Sequence, residues 1–113
     1  MSLELALKAL ESLGLTGVEA KVYVFLAKKG PHEEKDLANA LKLAKPQIRF
    51  SLESLLTKGM INTYPKCSFK YSAIELEKVF EQFIRTKKEE AEILRASRSE
   101  LLSMWHSFVQ KGY

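Results

Sequence analysis

One cysteine, two histidines and no long apolar run mark where this sequence is sparse, and each shortage closes off a class of function. Cys67, being alone, can form no internal disulfide and cannot assemble a cysteine zinc site. His32 and His106 lie in different segments with no cluster around them and read as surface imidazoles. No hydrophobic stretch approaches the roughly 18 residues needed to span a bilayer, and Met1-Ser2-Leu3-Glu4 lacks the basic region of a signal peptide, so a cytoplasmic location is expected. No amphipathic helix pairs a lysine-rich polar face with a strongly apolar one, so a membrane surface is not an expected partner. Enzyme signatures are missing too: no phosphate-binding glycine loop, no serine or cysteine nucleophile set with a histidine in a recognisable context, no acidic metal cluster. No catalytic residue, metal or cofactor is therefore expected.

What is present is positive charge, gathered in one place. Between Lys42 and Lys70, six bases (Lys42, Lys45, Arg49, Lys58, Lys66, Lys70) face one acid, Glu53, a net of +5 in a chain whose total is +4. Clustered excess charge of this kind favours a polyanion as partner, nucleic acid first. At 113 residues and 46% hydrophobic content the chain is one domain with an appended helix.

The periodicity divides it further. Leu3, Ala6, Leu7, Leu10 and Leu13 recur at helical spacing, with Gly14 as a stop. Thr16-Gly17-Val18-Glu19 is a capping box opening a second helix, with Val18, Val22, Phe25 and Leu26 facing inward and Lys28-Lys29-Gly30-Pro31 ending it. A third helix over Glu33 to Leu41 has an acidic start but no good N-cap residue. After the short turn Lys42-Leu43-Ala44 a fourth helix opens at Pro46, a residue tolerated in a first turn. Its inner stripe is Ile48, Leu52, Leu55 and Leu56, which turns Pro46, Gln47, Phe50, Glu53, Ser54 and Thr57 outward, with Arg49 on the flank. Lys58-Gly59 closes it. Ile61 to Tyr64 and Phe69 to Ala73 read as two strands, Phe69, Tyr71 and Ala73 alternating with Lys70 and Ser72, around a loop that presents Lys66.

From Glu75 onward one helix runs without glycine or proline as far as Gly112, roughly 50 Å at about 1.5 Å per residue. Phe80, Ile84, Lys87, Ala91, Leu94, Arg98, Leu101, Trp105 and Phe108 follow a heptad seam interrupted by Lys87 and Arg98. Seven bases against seven acids leave this segment neutral, the composition of a protein-facing coiled coil. The expected fold is mainly α with a small β-hairpin: a winged helix-turn-helix over 1–74 and a long C-terminal dimerisation helix over 75–113.

Several of these residues also carry a resemblance to a known family. Leu13-Gly14-Leu15-Thr16, Glu19-Ala20-Lys21-Val22-Tyr23, Lys29-Gly30-Pro31, Asp36-Leu37-Ala38, Leu52-Glu53-Ser54-Leu55, Lys58-Gly59-Met60-Ile61 and Tyr71-Ser72-Ala73 resemble the N-terminal domain of the TrmB-like transcriptional regulators, found widely in archaea. The resemblance covers about Leu5 to Leu76, and its most specific run is LGLTGVEAKVYVFL. It implies a DNA-binding winged helix used as a dimer, with sequence read from Lys45 to Ser54. Members often continue into an effector-binding domain, commonly for sugars, and this chain ends without one, so no small-molecule effector is expected within it. The chain departs from the family where a glycine and then a proline usually form the turn. Here Lys42 and Ala44 stand instead, and a left-handed Lys42 would cost roughly 1 kcal/mol or more. Pro46, Arg49 and Phe50 also differ from the residue types common along the reading helix.

Each candidate contact has a plainer reading beside it. Arg49 is a solvated flank residue or a contact to phosphate or base, guanine being the commonest specific partner of arginine, and Gln47 is similar, with adenine as its natural partner. Phe50 touches thymine methyls or packs beside the first helix. Tyr64 packs or bonds phosphate in preference to stacking on a base. Cys67 reads as an idle thiol, its alternative being a redox sensor. The resulting expectation is a homodimeric, sequence-specific regulator binding double-stranded DNA. The helix at about 45–58 enters the major groove and the wing at 61–73 lies on the backbone. Lys42, Lys45, Gln47, Arg49, Phe50, Ser54, Lys66 and Lys70 form the DNA surface, and Phe80, Ile84, Ala91, Leu94, Leu101, Trp105 and Phe108 join the protomers. A winged helix that binds only proteins, as an adaptor or a subunit of transcription machinery, and a nonspecific architectural DNA binder are the competing readings.

Overall fold

In the computed structural model, which describes residues 2–64 and 69–110, three of the first four helices end in the same way, and that shared ending sets the chain's turns. Helix α1 (Leu3–Ser12) is opened by the Ser2 hydroxyl, which accepts from the Leu5 N–H at 3.2 Å. It closes around Gly14 at φ 95°, where the Leu15 N–H returns to the Leu10 carbonyl. Helix α4 (Lys45–Thr57) closes around Gly59 at φ 73°, the Met60 N–H reaching the Leu55 carbonyl at 3.0 Å. Helix α3 (Glu34–Leu41) makes the same turn without a glycine: Lys42 sits at φ 56°, ψ 44°, and the Leu43 N–H donates to the Ala38 carbonyl at 3.1 Å. A six-residue loop-back of this kind needs a left-handed residue just past the helix, which glycine adopts at no steric cost and lysine does not.

Helix α2 (Gly17–Lys29) has the expected capping box in both halves. The Thr16 hydroxyl accepts from the Glu19 N–H at 3.2 Å, and the Glu19 carboxylate from the Thr16 N–H at 2.8 Å. It is the central helix, packing on α1, α4 and the hairpin. Its buried residues are Glu19, Ala20, Val22, Tyr23 and Leu26, a broader face than the expected stripe. Val18 and Phe25 are only half-buried, while Tyr23 is fully inside because its hydroxyl finds a partner, donating to the Ile74 carbonyl at 2.7 Å. Leu10, Leu15, Leu37, Ala38, Ile48, Leu52, Leu55, Met60 and Ile61 complete the core.

Strands β1 (Ile61–Tyr64) and β2 (Lys70–Ala73) pair antiparallel, Ile61 opposite Ala73 and Tyr64 opposite Lys70. The second strand starts one residue later than the alternation predicts. Phe69 takes φ 52°, which is not extended, so it leaves the ladder and is exposed instead of facing the core. Lys66 and Cys67, expected in the loop, lie outside the described residues.

Helix α5 (Leu76–Gln110) follows. By packing, the chain divides into Met1–Val79 and Phe80–Tyr113: the first turn of α5 belongs with the first unit, where Val79 is buried in the core. Within the second unit Phe80, Ile84, Leu94, Leu101, Trp105 and Phe108 are all exposed. The Trp105 and Phe108 rings lie 6.1 Å apart. Lys87, which breaks the apolar seam, turns aside, its Nζ 5.5 Å from the Phe83 ring centre and 3.5 Å from the Glu90 carboxylate. No helix among the described residues is long and apolar enough to cross a membrane.

Candidate nucleic-acid interface

The surface that α4 turns away from the core follows from its sequence. With Ile48, Ser51, Leu52 and Leu55 buried, residues 46, 49, 50 and 53 share the opposite face at spacings of three and four. Lys45, Pro46, Arg49, Phe50 and Glu53 line one hollow of about 260 Å³ on that face. Phe50 is 72% exposed, so it does not pack beside the first helix, and the plainer of its two readings falls away. An aromatic ring left in water on an exposed helix face, between a lysine and an arginine, is costly to solvate and available to an apolar partner.

Arg49 is not free. Its Nε donates to Glu34 Oε1 at 3.0 Å, from the first turn of α3. That hydrogen bond, with the charges of Glu34 and Glu53 adding to it, raises the guanidinium pKa above its ordinary value. Tyr71 of β2 belongs to the same neighbourhood, its hydroxyl pKa raised by burial and then by Glu34 and Glu53, with Arg49 acting the other way. Neither Glu34 nor Tyr71 stands out in the sequence as part of this site. The acidic run at the start of α3 signals only a helix dipole until the fold brings it against α4.

The remaining expected contacts separate. Lys42, at the turn before α4, and Lys70, on β2, are exposed and carry no ion pair among the described residues. Gln47 turns back on its own helix, its Oε1 accepting from the Ala44 N–H at 3.3 Å, which replaces the side-chain cap that alanine cannot supply. Ser54 is half-buried and is not among the residues that line the hollow with Arg49 and Phe50; its hydroxyl instead acts on Glu19, helping to lower that carboxyl's pKa. Lys58 is also diverted. Its Nζ lies 2.9 and 3.1 Å from the two Glu19 oxygens and 3.2 Å from the Gly14 carbonyl, so one of the six bases in the positive stretch serves the core. Among the described residues no group of three His, Cys, Asp or Glu side chains is placed to hold a metal.

Comparison with known proteins bears on the family and the fold. A family model described as the sugar-specific transcriptional regulator TrmB matches residues 10–77. Among solved structures, TrmBL2, described as an archaeal chromatin protein with a novel mode of DNA binding, is similar over 100% of this chain, at 28% identity and a TM-score of 0.75. The chain spans 46% of that protein's length. The transcriptional regulator Tm0710 from Thermotoga maritima shares the fold at 16% identity and a TM-score of 0.58, over 98% of this chain and 88% of that one. No curated protein sequence matches the chain.

Proposed function

Because the chain belongs to the TrmB family of sugar-specific transcriptional regulators, a family of regulators and not of enzymes, we propose that it is a DNA-binding transcription regulator that reads duplex sequence as a homodimer. In this reading α4 enters the major groove and the hairpin lies along the adjacent backbone. The observation that carries it is the exposed face of α4, where Lys45, Arg49 and Phe50 surround one hollow, with Lys42 at the turn before it. Lysines there and Lys70 on β2 supply phosphate contacts, which give affinity without sequence information, while Arg49 and Phe50 offer a guanine fork and a thymine-methyl contact. The heptad stripe from Phe80 to Phe108 supports dimerisation, since a lone helix has nothing to bury those side chains against.

A second reading, indifferent coating of duplex DNA, draws support from the likeness to a chromatin protein. Selection of bound duplexes from a random pool separates the two, with sedimentation to count protomers. The proposed regulator enriches one inverted repeat, its half-sites about 34–36 Å apart, as a dimer. Equal retention of all sequences would favour the architectural reading. Binding that does not weaken as salt rises would point to a protein-binding adaptor, because every phosphate that a protein neutralises steepens the log–log salt dependence by about 0.9.

A further inference from the structure

Glu34 stands where an acid is hardest to reconcile with a polyanion. A duplex holding α4 in its groove brings phosphates toward α3 as well, yet the carboxylate sits there, bonded to Arg49 at 3.0 Å. It is also the better anchored of the pair, its side chain 26% exposed against 66% for Arg49. The chain two residues earlier is fixed on three sides. His32 exchanges backbone hydrogen bonds with Tyr71 of β2 at 3.1 and 2.9 Å, its Nδ1 lies 2.8 Å from the Gly30 carbonyl, and its ring meets Phe25 edge-on at 4.9 Å. The start of α3 is thereby tied to the hairpin, and the long, exposed arginine is the member that has been caught.

We propose that Glu34 is a specificity-determining positioning residue, which by holding Arg49 Nε turns the two Nη amines outward as an end-on fork for O6 and N7 of one guanine. This rests on the sequence-specific reading above. A guanidinium carries its N–H donors in one rigid plane, so a carboxylate on the Nε edge fixes that plane and leaves the terminal edge for a second partner. In solution an unheld arginine samples many rotamers, and a fork set in advance binds with less ordering. Charge points the same way. Flanked by Glu34 and Glu53, Arg49 adds little net positive charge to its surroundings. The pair consequently gains little from a phosphate met at random, which the carboxylate repels, whereas the neutral edge of guanine offers two acceptors at the spacing of the fork. Affinity is left to Lys42, Lys45 and Lys70, and discrimination to the Glu34–Arg49 unit.

The test uses the full chain. Duplex selection by the wild type and by Arg49→Ala identifies the guanine whose preference disappears. Affinities are then measured for the selected duplex, for the same duplex with that pair changed to A·T, and for random duplex, with Glu34→Ala and Glu34→Gln beside the wild type. The wild type should prefer guanine by on the order of 10-fold or more. Glu34→Ala should lose most of that ratio while binding random duplex as well or better. Glu34→Gln, whose amide oxygen still accepts from Nε, should keep most of it, with unchanged melting of both variants showing that they fold. If both variants tighten every duplex alike and leave the guanine ratio intact, Glu34 is merely a repulsive charge and the proposal fails. It fails equally if Arg49→Ala enriches the same sequence as the wild type; in both cases sequence-specific binding still stands. A wild-type pool with no enriched sequence removes that reading and the proposal with it.

Discussion

Replacing Glu19 by glutamine tests how this winged helix is held together, because the expected loss and its pH dependence both come from one buried network. Glu19 is 2% exposed and accepts from the Thr16 N–H at 2.8 Å and from Lys58 Nζ at 2.9 and 3.1 Å. It joins the start of α2 to the end of α4, and through Lys58 to the Gly14 carbonyl at 3.2 Å. Burial pushes the carboxyl pKa up, but the polar hydrogens that Ser54, Thr16 and Lys58 bring to the carboxylate outweigh it and lower the value from 4.5 to about 2. A folded pKa below the unfolded one means stability that is complete above the unfolded value and lost as pH falls through the folded one. The window is therefore about pH 5 down to pH 2, and the full contribution is about 3 kcal/mol. Glutamine keeps the shape and one acceptor but forfeits the ion pair. Since Lys58 is 37% exposed and can rehydrate, the cost at pH 7 falls at the low end for a broken buried pair, about 3 kcal/mol. Urea unfolding of both proteins at pH 7 and pH 3 gives the answer, because the difference between them cancels the other carboxylates. The gap should narrow by about 2 kcal/mol over that range. A gap that stays constant, or a glutamine variant as stable as the wild type at pH 7, would refute the assignment.

Three further outcomes are expected. Lys42→Gly relieves the left-handed strain at φ 56° and should raise stability by about 1 kcal/mol in thermal melts, while reducing the salt slope of DNA binding by about 0.9 if the lysine contacts a phosphate. Tyr23→Phe strands the Ile74 carbonyl, 2.7 Å from the hydroxyl that is removed, and should cost about 1 kcal/mol in urea unfolding; an unchanged midpoint would show that water replaces the bond. Leu94→Glu combined with Leu101→Glu puts charge into the heptad stripe and should turn a sedimenting dimer into a monomer, with the circular dichroism of the first unit preserved; a variant that remains dimeric would place the protomer contact elsewhere.

What could be read from the chain alone were features decided among near neighbours. The Thr16–Glu19 capping box, the turns at Gly14 and Gly59 and both β-strands depend on bonds over short stretches of chain, so residue type and spacing specify them, whereas the left-handed Lys42 is expected only from the family resemblance. The periodicity of α4 likewise identified its inner stripe and hence the face carrying Phe50. Phe69 is the local exception: a β-rich alternation said strand, and a positive φ took it out of the ladder.

Residue order thus specifies the elements, their succession and the stretch of positive charge. Packing selects which of those charges remain available. Lys58 meets Glu19 across 39 positions of sequence, Arg49 meets Glu34 across 15, and Tyr23 meets Ile74 across 51. Ser54, outward by a coarse reading of the helix, is half-buried and acts on Glu19 of α2. None of these encounters has a signature in spacing, because each depends on the angle at which one helix crosses another and on which side chains the crossing brings within about 3 Å, the reach of a hydrogen bond. A pattern of bases can announce a polyanion, but the acids that neutralise, hold or aim those bases come from elsewhere in the chain, and only the assembled fold brings them together.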